Sequence, residues 1–193
     1  MGQQPARVLA PDDVRRVLEH VEWTGQPLRN RAMVMLSVYA GLRACEISGL
    51  KWEMALRADA RLDSHLRIAA AIAKKGSRRV IPIHAELGAT LCRLHRQQGQ
   101  PRHGPIIASQ RGGHMSAKAV VNWFSALYRS VGLDGCSSHS GRRTFITRSA
   151  RAVVKVGGSL RDVQELAGHR AITTTERYIE GDREAQRRLI ALL

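Results

Sequence analysis

The sequence predicts a mainly α-helical α+β domain with one small antiparallel β-sheet. Three features predict it: apolar residues recur at helical spacing along most of the chain, glycines stand where those runs stop, and two short β-prone runs flank Lys74-Lys75-Gly76-Ser77. With 193 residues and 44% hydrophobic content, the chain can close one well-filled core or two small ones at most. One domain over residues 1–193 is expected, without internal repeats or low-complexity tracts.

The first helix starts at Pro11, a residue well tolerated in a first turn, and carries Val14, Val17, Leu18 and Val21 on one face as far as Trp23-Thr24-Gly25. From Leu28 to Ala40 the run Met33, Val34, Met35, Leu36, Val38, Tyr39 is too long for a strand, and Gly41 follows it as a helix stop. A short third helix spans Cys45 to Leu50. Residues 66–72 and 78–83 are expected as two strands of a hairpin, although the alanines of the first run weaken its strand character. Helices are then expected at 85–98, 116–131, 139–154, 159–168, 174–180 and 183–192, with Ser116 and Ser159 as N-caps.

Charge narrows the function. Lys+Arg number 31 against 16 Asp+Glu, a net +15, and arginine dominates. That excess points to a polyanionic partner, nucleic acid above all, because a guanidinium grips phosphate oxygens through a planar fork. Only 4% of residues are aromatic, which disfavours base stacking on single strands and favours duplex phosphate contacts. Cys45, Cys92 and Cys136 are too few and too scattered for a disulfide framework or a closed zinc site; Cys92 and His95 have ligand-like spacing but no second pair, so no metal is expected. No apolar run approaches the ~18 residues of a membrane span, and the N-terminus has no basic-then-apolar signal. A cytoplasmic, nucleoid-associated protein of bacterial or phage origin is expected.

The stretch SSHSGRRTFIT, residues 137–147, holds a histidine and two adjacent arginines with no counter-charge. Such a pair is either a solvated helix face or a seat for phosphate. Elsewhere, single candidates have ordinary explanations. Arg43 could compensate a helix C-terminus, Lys75 could be a turn residue, His169 a helix cap, and Tyr178 a half-buried aromatic.

Together, and in this order, GLRACEI (41–47), KKGSRRVIPI (74–83), HSGRRTFIT (139–147), LAGH (166–169) and TTTERYI (173–179) resemble the motif set of the tyrosine recombinases, the phage-integrase family, over nearly the whole chain. The resemblance implies that family's catalytic-domain fold and a site-specific recombinase that cleaves and rejoins duplex DNA through a 3′-phosphotyrosyl intermediate, without metal, ATP or another cofactor. It assigns the oxyanion-clamping arginines to Arg43 and Arg142, the base to His139, a phosphate hydrogen bond to His169, the nucleophile to Tyr178 and the general acid to Lys75, with Lys74 as the alternative register. Lys74, Arg78, Lys118 and Arg143 are expected as further DNA contacts, Arg143 standing where many relatives have histidine. Glu46 is expected to orient an arginine.

The resemblance further implies a monomer that assembles into a homo-tetramer on DNA, with accessory DNA-bending proteins, and a C-terminal helix at 182–193 that either docks into a neighbouring protomer or packs on its own domain. The core-binding domain that precedes the catalytic domain in most relatives is expected to be absent, whether the chain is a fragment or a catalytic-domain-only type. Alternatives are a type IB topoisomerase-like enzyme and a catalytically silent DNA-binding regulator. Three departures stand out: Gly141 replaces the family's leucine and is expected to loosen local packing, and the segments AVVKVGGS and Trp52–Leu66 are longer than usual.

Overall fold

The computed structural model describes residues 5–73, 76–178, 187, 190 and 191. Its centre is the second helix, α2 (Pro27–Val38), which is buried along most of its length because nearly every side chain from Ala32 to Val38 is apolar or small. Around it pack α1 (Pro11–Val21), α3 (Ala44–Gly49), α4 (Ala85–Gln97) and α6 (Ser140–Ala152), while α5 (Ala117–Ser130) lies against α3. Met33, Met35, Leu36, Leu42, Trp52, Phe124 and Tyr128 fill this core. A second, smaller cluster joins Ile146 of α6 to Val163 and Ala167 of α7 (Leu160–Ala167), with Phe145, Leu160 and Tyr178 alongside. The last described helix is α8 (Ile172–Glu176).

Sequence signals locate most of these ends. Ser116 caps α5 by accepting from the Ala119 N–H at 3.2 Å, and the Ser159 N–H donates to the Asp162 carboxylate at 2.7 Å in a capping box that starts α7. Gly41 takes φ +62°, and a Cβ there would stand 2.9 Å from Phe145 Cε1, so both the backbone turn and the close approach of α6 need glycine.

The sheet is smaller than expected. β1 (His65–Ile68) and β2 (Arg79–Pro82) pair antiparallel with His65 opposite Pro82 and Ile68 opposite Arg79. Residues 69–72 do not continue the first strand: the Ala73 N–H turns back to the Ala69 carbonyl at 3.2 Å, and Ile72 packs against Gly49. Three consecutive alanines have little strand preference, and burying Ile72 wins over extending the ladder. Lys74 and Lys75 lie outside the described residues, as does most of 183–192. A 3-10 turn at Trp52–Met54 and another at Val153–Val156, the latter continuing α6, complete the architecture. Among the described residues no helix is long and apolar enough to cross a membrane.

Candidate active site

Arg142 stands at the centre of the site, one turn into α6 and 3% exposed. Its Nη1 donates to the Gly41 carbonyl just past α2, and its Nη2 to the Ala167 carbonyl at the end of α7, both at 2.6 Å. These two carbonyls, at the ends of separate helices, fix the guanidinium from opposite sides. Nη2 also meets His169 Nε2 at 3.0 Å. A guanidinium only donates, so Nε2 must accept; the imidazole proton is then on Nδ1, which reaches Thr175 Oγ1 at 2.9 Å. Burial, reinforced by the charges of Arg142, Arg43 and Arg79, pushes His169 down to about 4, so the ring is neutral at physiological pH.

Arg43 is brought to the same place as the residue that begins α3. Its backbone N–H donates to Glu46 Oε2 at 2.9 Å and its Nη1 to Glu46 Oε1 at 3.1 Å. Glu46 is fully buried and also receives a two-pronged contact from Arg79, with Nη1 at 2.9 Å from Oε1 and Nη2 at 2.8 Å from Oε2. Burial alone would raise the Glu46 carboxyl, but the hydrogen bonds and charge of Arg79 and the contacts of Arg43 outweigh it and hold the group below its ordinary value. Arg79 Nε donates in turn to the Leu166 carbonyl at 3.0 Å, which ties the sheet to α7. Arg43 and Arg79 contact the Glu46 carboxylate and Arg142 lies close enough to feel its charge, so among the described residues three guanidinium groups surround one carboxylate, a surplus of two positive charges. Burial and the charges of Arg43 and Arg79 push Arg142 down to about 10. Such a surplus is stabilised by an anion.

Tyr178 follows α8, its N–H donating to the Thr175 carbonyl at 3.0 Å. Its half-buried ring stacks on His169 with centroids 5.8 Å apart and planes 21° from parallel. The Arg143 guanidinium lies 5.7 Å from the Tyr178 ring centroid, within cation–π range. His139 is the exposed N-cap of α6, one turn before Arg142, with its N–H on Ser137 Oγ at 3.3 Å.

The structure thus brings Arg43, Arg142, His169 and Tyr178 together, with His139 at the start of the same helix as Arg142 and Arg143 over the tyrosine ring. Lys75 and Lys74 fall outside the described residues. Arg78 is exposed in the segment leading to β2 and lines a cleft with Arg79 and His169, and Lys118 is exposed in the first turn of α5. Gly141 overturns the expected loosening. A Cβ there would sit 2.8 Å from Ser37 Cβ and 3.1 Å from Val38 Cγ1, so glycine lets α6 approach α2 closely where leucine would not fit. Arg79 and Thr175 escaped the sequence reading. Arg79 carried a signal: strand alternation puts it on the same face as Ile81, and an inward-facing arginine needs a carboxylate such as Glu46.

Comparison with known proteins fits this geometry. The model of the Phage integrase family matches residues 7–184. The tyrosine recombinase XerC of Xylella fastidiosa (strain M23) is 33% identical over 178 residues, covering 91% of this chain and 56% of the relative. That of Xanthomonas campestris pv. campestris (strain B100) is 30% identical over 177 residues, covering 91% and 52%. The chain therefore spans about half the length of the curated relatives it matches. Its fold is shared with XerA recombinase (TM-score 0.73, 21% identity, 98% of this chain and 66% of the other) and with the Tn1549 transposon integrase solved with a circular intermediate DNA (0.75, 20%, 98% and 67%). A lambda integrase dimer bound to a core site matches at 0.68 and 21% identity, over 94% of this chain and 51% of the other. By sequence match, fold and the placement of its motif residues, the chain belongs to the phage integrase family.

Proposed function

We propose that the chain is the catalytic domain of a site-specific tyrosine recombinase that cleaves and rejoins duplex DNA through a 3′-phosphotyrosyl intermediate. The observation that carries this reading is the buried surplus of arginine charge beside the Tyr178 ring. A phosphodiester bound there would supply the missing anion. As the phosphorus becomes five-coordinate, charge grows on its non-bridging oxygens, where Arg43 and Arg142 act as the clamp.

Tyr178 Oη attacks the phosphorus and forms the phosphotyrosyl bond, while the bond to the 5′-oxygen of the next nucleotide breaks. His139 accepts the phenolic proton, and Arg143 over the ring favours negative charge developing on the attacking oxygen. Lys75, or Lys74 in the alternative register, delivers a proton to the departing 5′-oxygen. Attack by a 5′-hydroxyl from a second duplex reverses the step and restores the phosphodiester, so neither ATP nor a metal is consumed. His169 serves this chemistry chiefly through Arg142: while Nε2 accepts from that guanidinium it cannot donate to phosphate. Exchange between two duplexes cuts four strands, so assembly of four protomers on DNA belongs to the same proposal.

Trapping on nicked duplex fragments, which lose the leaving strand, tests the reading. Wild type is expected to form denaturant-resistant adducts and Tyr178→Phe none, with DNA binding retained; equal adduct yields would show that Tyr178 is not the nucleophile. Arg142→Ala and Arg43→Ala are each expected to slow adduct formation by about 100- to 1000-fold, the scale of a lost oxyanion donor, in single-turnover assays.

A further inference from the structure

The site occupies one end of the two-stranded sheet, where Arg79 reaches Glu46 and Leu166. A second basic cleft is lined by the segment that leads into β1 and by the end of α4 with the loop after it. It has a volume of about 760 Å³ and shares no lining residue with the cluster around Arg142. Arg57 and Arg61 enter it from the turn before β1, and Arg96 and Arg102 from the end of α4 and the loop after it. All four are exposed.

Counter-charge is scarce here. Asp59 serves both Arg57, at 3.1 Å, and Arg61, at 3.9 Å. Arg96 Nε donates to the Cys92 carbonyl at 3.4 Å, and among the described residues neither Arg96 nor Arg102 has a carboxylate partner within 4.0 Å. The α4 C-terminus accounts for Arg96 by dipole compensation, but not for Arg57 and Arg61 turning into the same space from another segment. The backbone is also unusual. Ala60 (φ +63°) and Gln100 (φ +57°) are the two non-glycine residues with positive φ among the described residues, and both line this cleft. Its floor is fixed: His95 is buried, its Nε2 meets the Pro101 carbonyl at 2.9 Å, and its ring lies 4.5 Å from that of Trp52.

We propose that this cleft is a second, non-catalytic site for the phosphate backbone of duplex DNA, holding a duplex other than the one at Tyr178. The choice of DNA as ligand rests on the function proposed above. An open groove with four spaced forks and one carboxylate suits a run of phosphates along a strand.

The test is a bridging assay with the full chain carrying Tyr178→Phe: protein is loaded on an immobilised duplex, and capture of a labelled second duplex is measured. Adding Arg57→Gln, Arg96→Gln and Arg102→Gln is expected to leave loading on the first duplex intact and to reduce capture of the second by about tenfold or more, with a shallower salt dependence of capture. A control removing the same charge elsewhere, Arg15→Gln, Arg111→Gln and Arg129→Gln, is expected to retain capture. Undiminished capture by the cleft variant would overturn the proposal, since bridging would then come from association of protomers. An equal loss in the control would also overturn it, by reducing the effect to net charge. Adduct formation by Tyr178 is scored separately with the unmutated tyrosine. Loss of adducts with cleft-dependent capture preserved would reject the recombinase reading alone.

Discussion

Glu46 is the residue on which the site's stability turns, because one buried carboxylate neutralises Arg79 and holds Arg43 in place. Glu46→Gln leaves a buried guanidinium without its counter-charge and is expected to cost about 3–5 kcal/mol, read as a lower denaturant midpoint at unchanged slope. His169 makes a different prediction. Its folded value of about 4 lies below the ordinary 6.5, so between these limits the unfolded chain binds more protons than the native one. Its contribution to stability is complete above pH 6.5 and is lost as pH falls towards 4. Glu46, held low, works in the same direction at still lower pH. Unfolding midpoints measured from pH 7 to 4 are expected to fall, and His169→Gln to flatten the upper part of that fall; a pH-independent midpoint in wild type would contradict the assignment. At this scale the motif residues were legible because each carries a distinctive chemical group at a fixed spacing. Thr175 was not, since a buried threonine beside two others in sequence has nothing to mark it as the partner of His169.

The approach of α6 to α2 places Arg142, and it depends on Gly141. Adding one methyl group at this contact, as Gly141→Ala, is expected to cost about 1–3 kcal/mol through overpacking. Ser37→Gly in the same chain is expected to recover part of the loss, because Ser37 provides the obstructing atoms and its buried hydroxyl has no hydrogen-bond partner among the described residues. Equal losses in the single and double variants would place the strain elsewhere. Among the described residues the sequence located nearly every helix, since periodicity and capping are local, although the helix expected at 174–180 is Ile172–Glu176. It misjudged Gly141 because the atoms that require glycine lie about a hundred positions away in the chain. It likewise overextended the first strand, where the burial of Ile72 against Gly49 decides the ending.

For the whole molecule, the net +15 governs the strength of the proposed DNA binding. Affinity is expected to fall steeply with salt, with a log–log slope of about −0.9 for each phosphate engaged, measurable by titration at several ionic strengths. Composition made this property legible from the start, whereas the division of the charge into the cluster around Arg142 and a separate cleft required the fold. The three attachments of Arg142 have one further consequence. Gly41, Ala167 and His169 come from opposite ends of the chain, and Tyr178 emerges later than any of them during synthesis. A polypeptide still on the ribosome has no clamped guanidinium and no tyrosine beside it, so under the function proposed above it would leave DNA uncut until translation has passed the last of these residues.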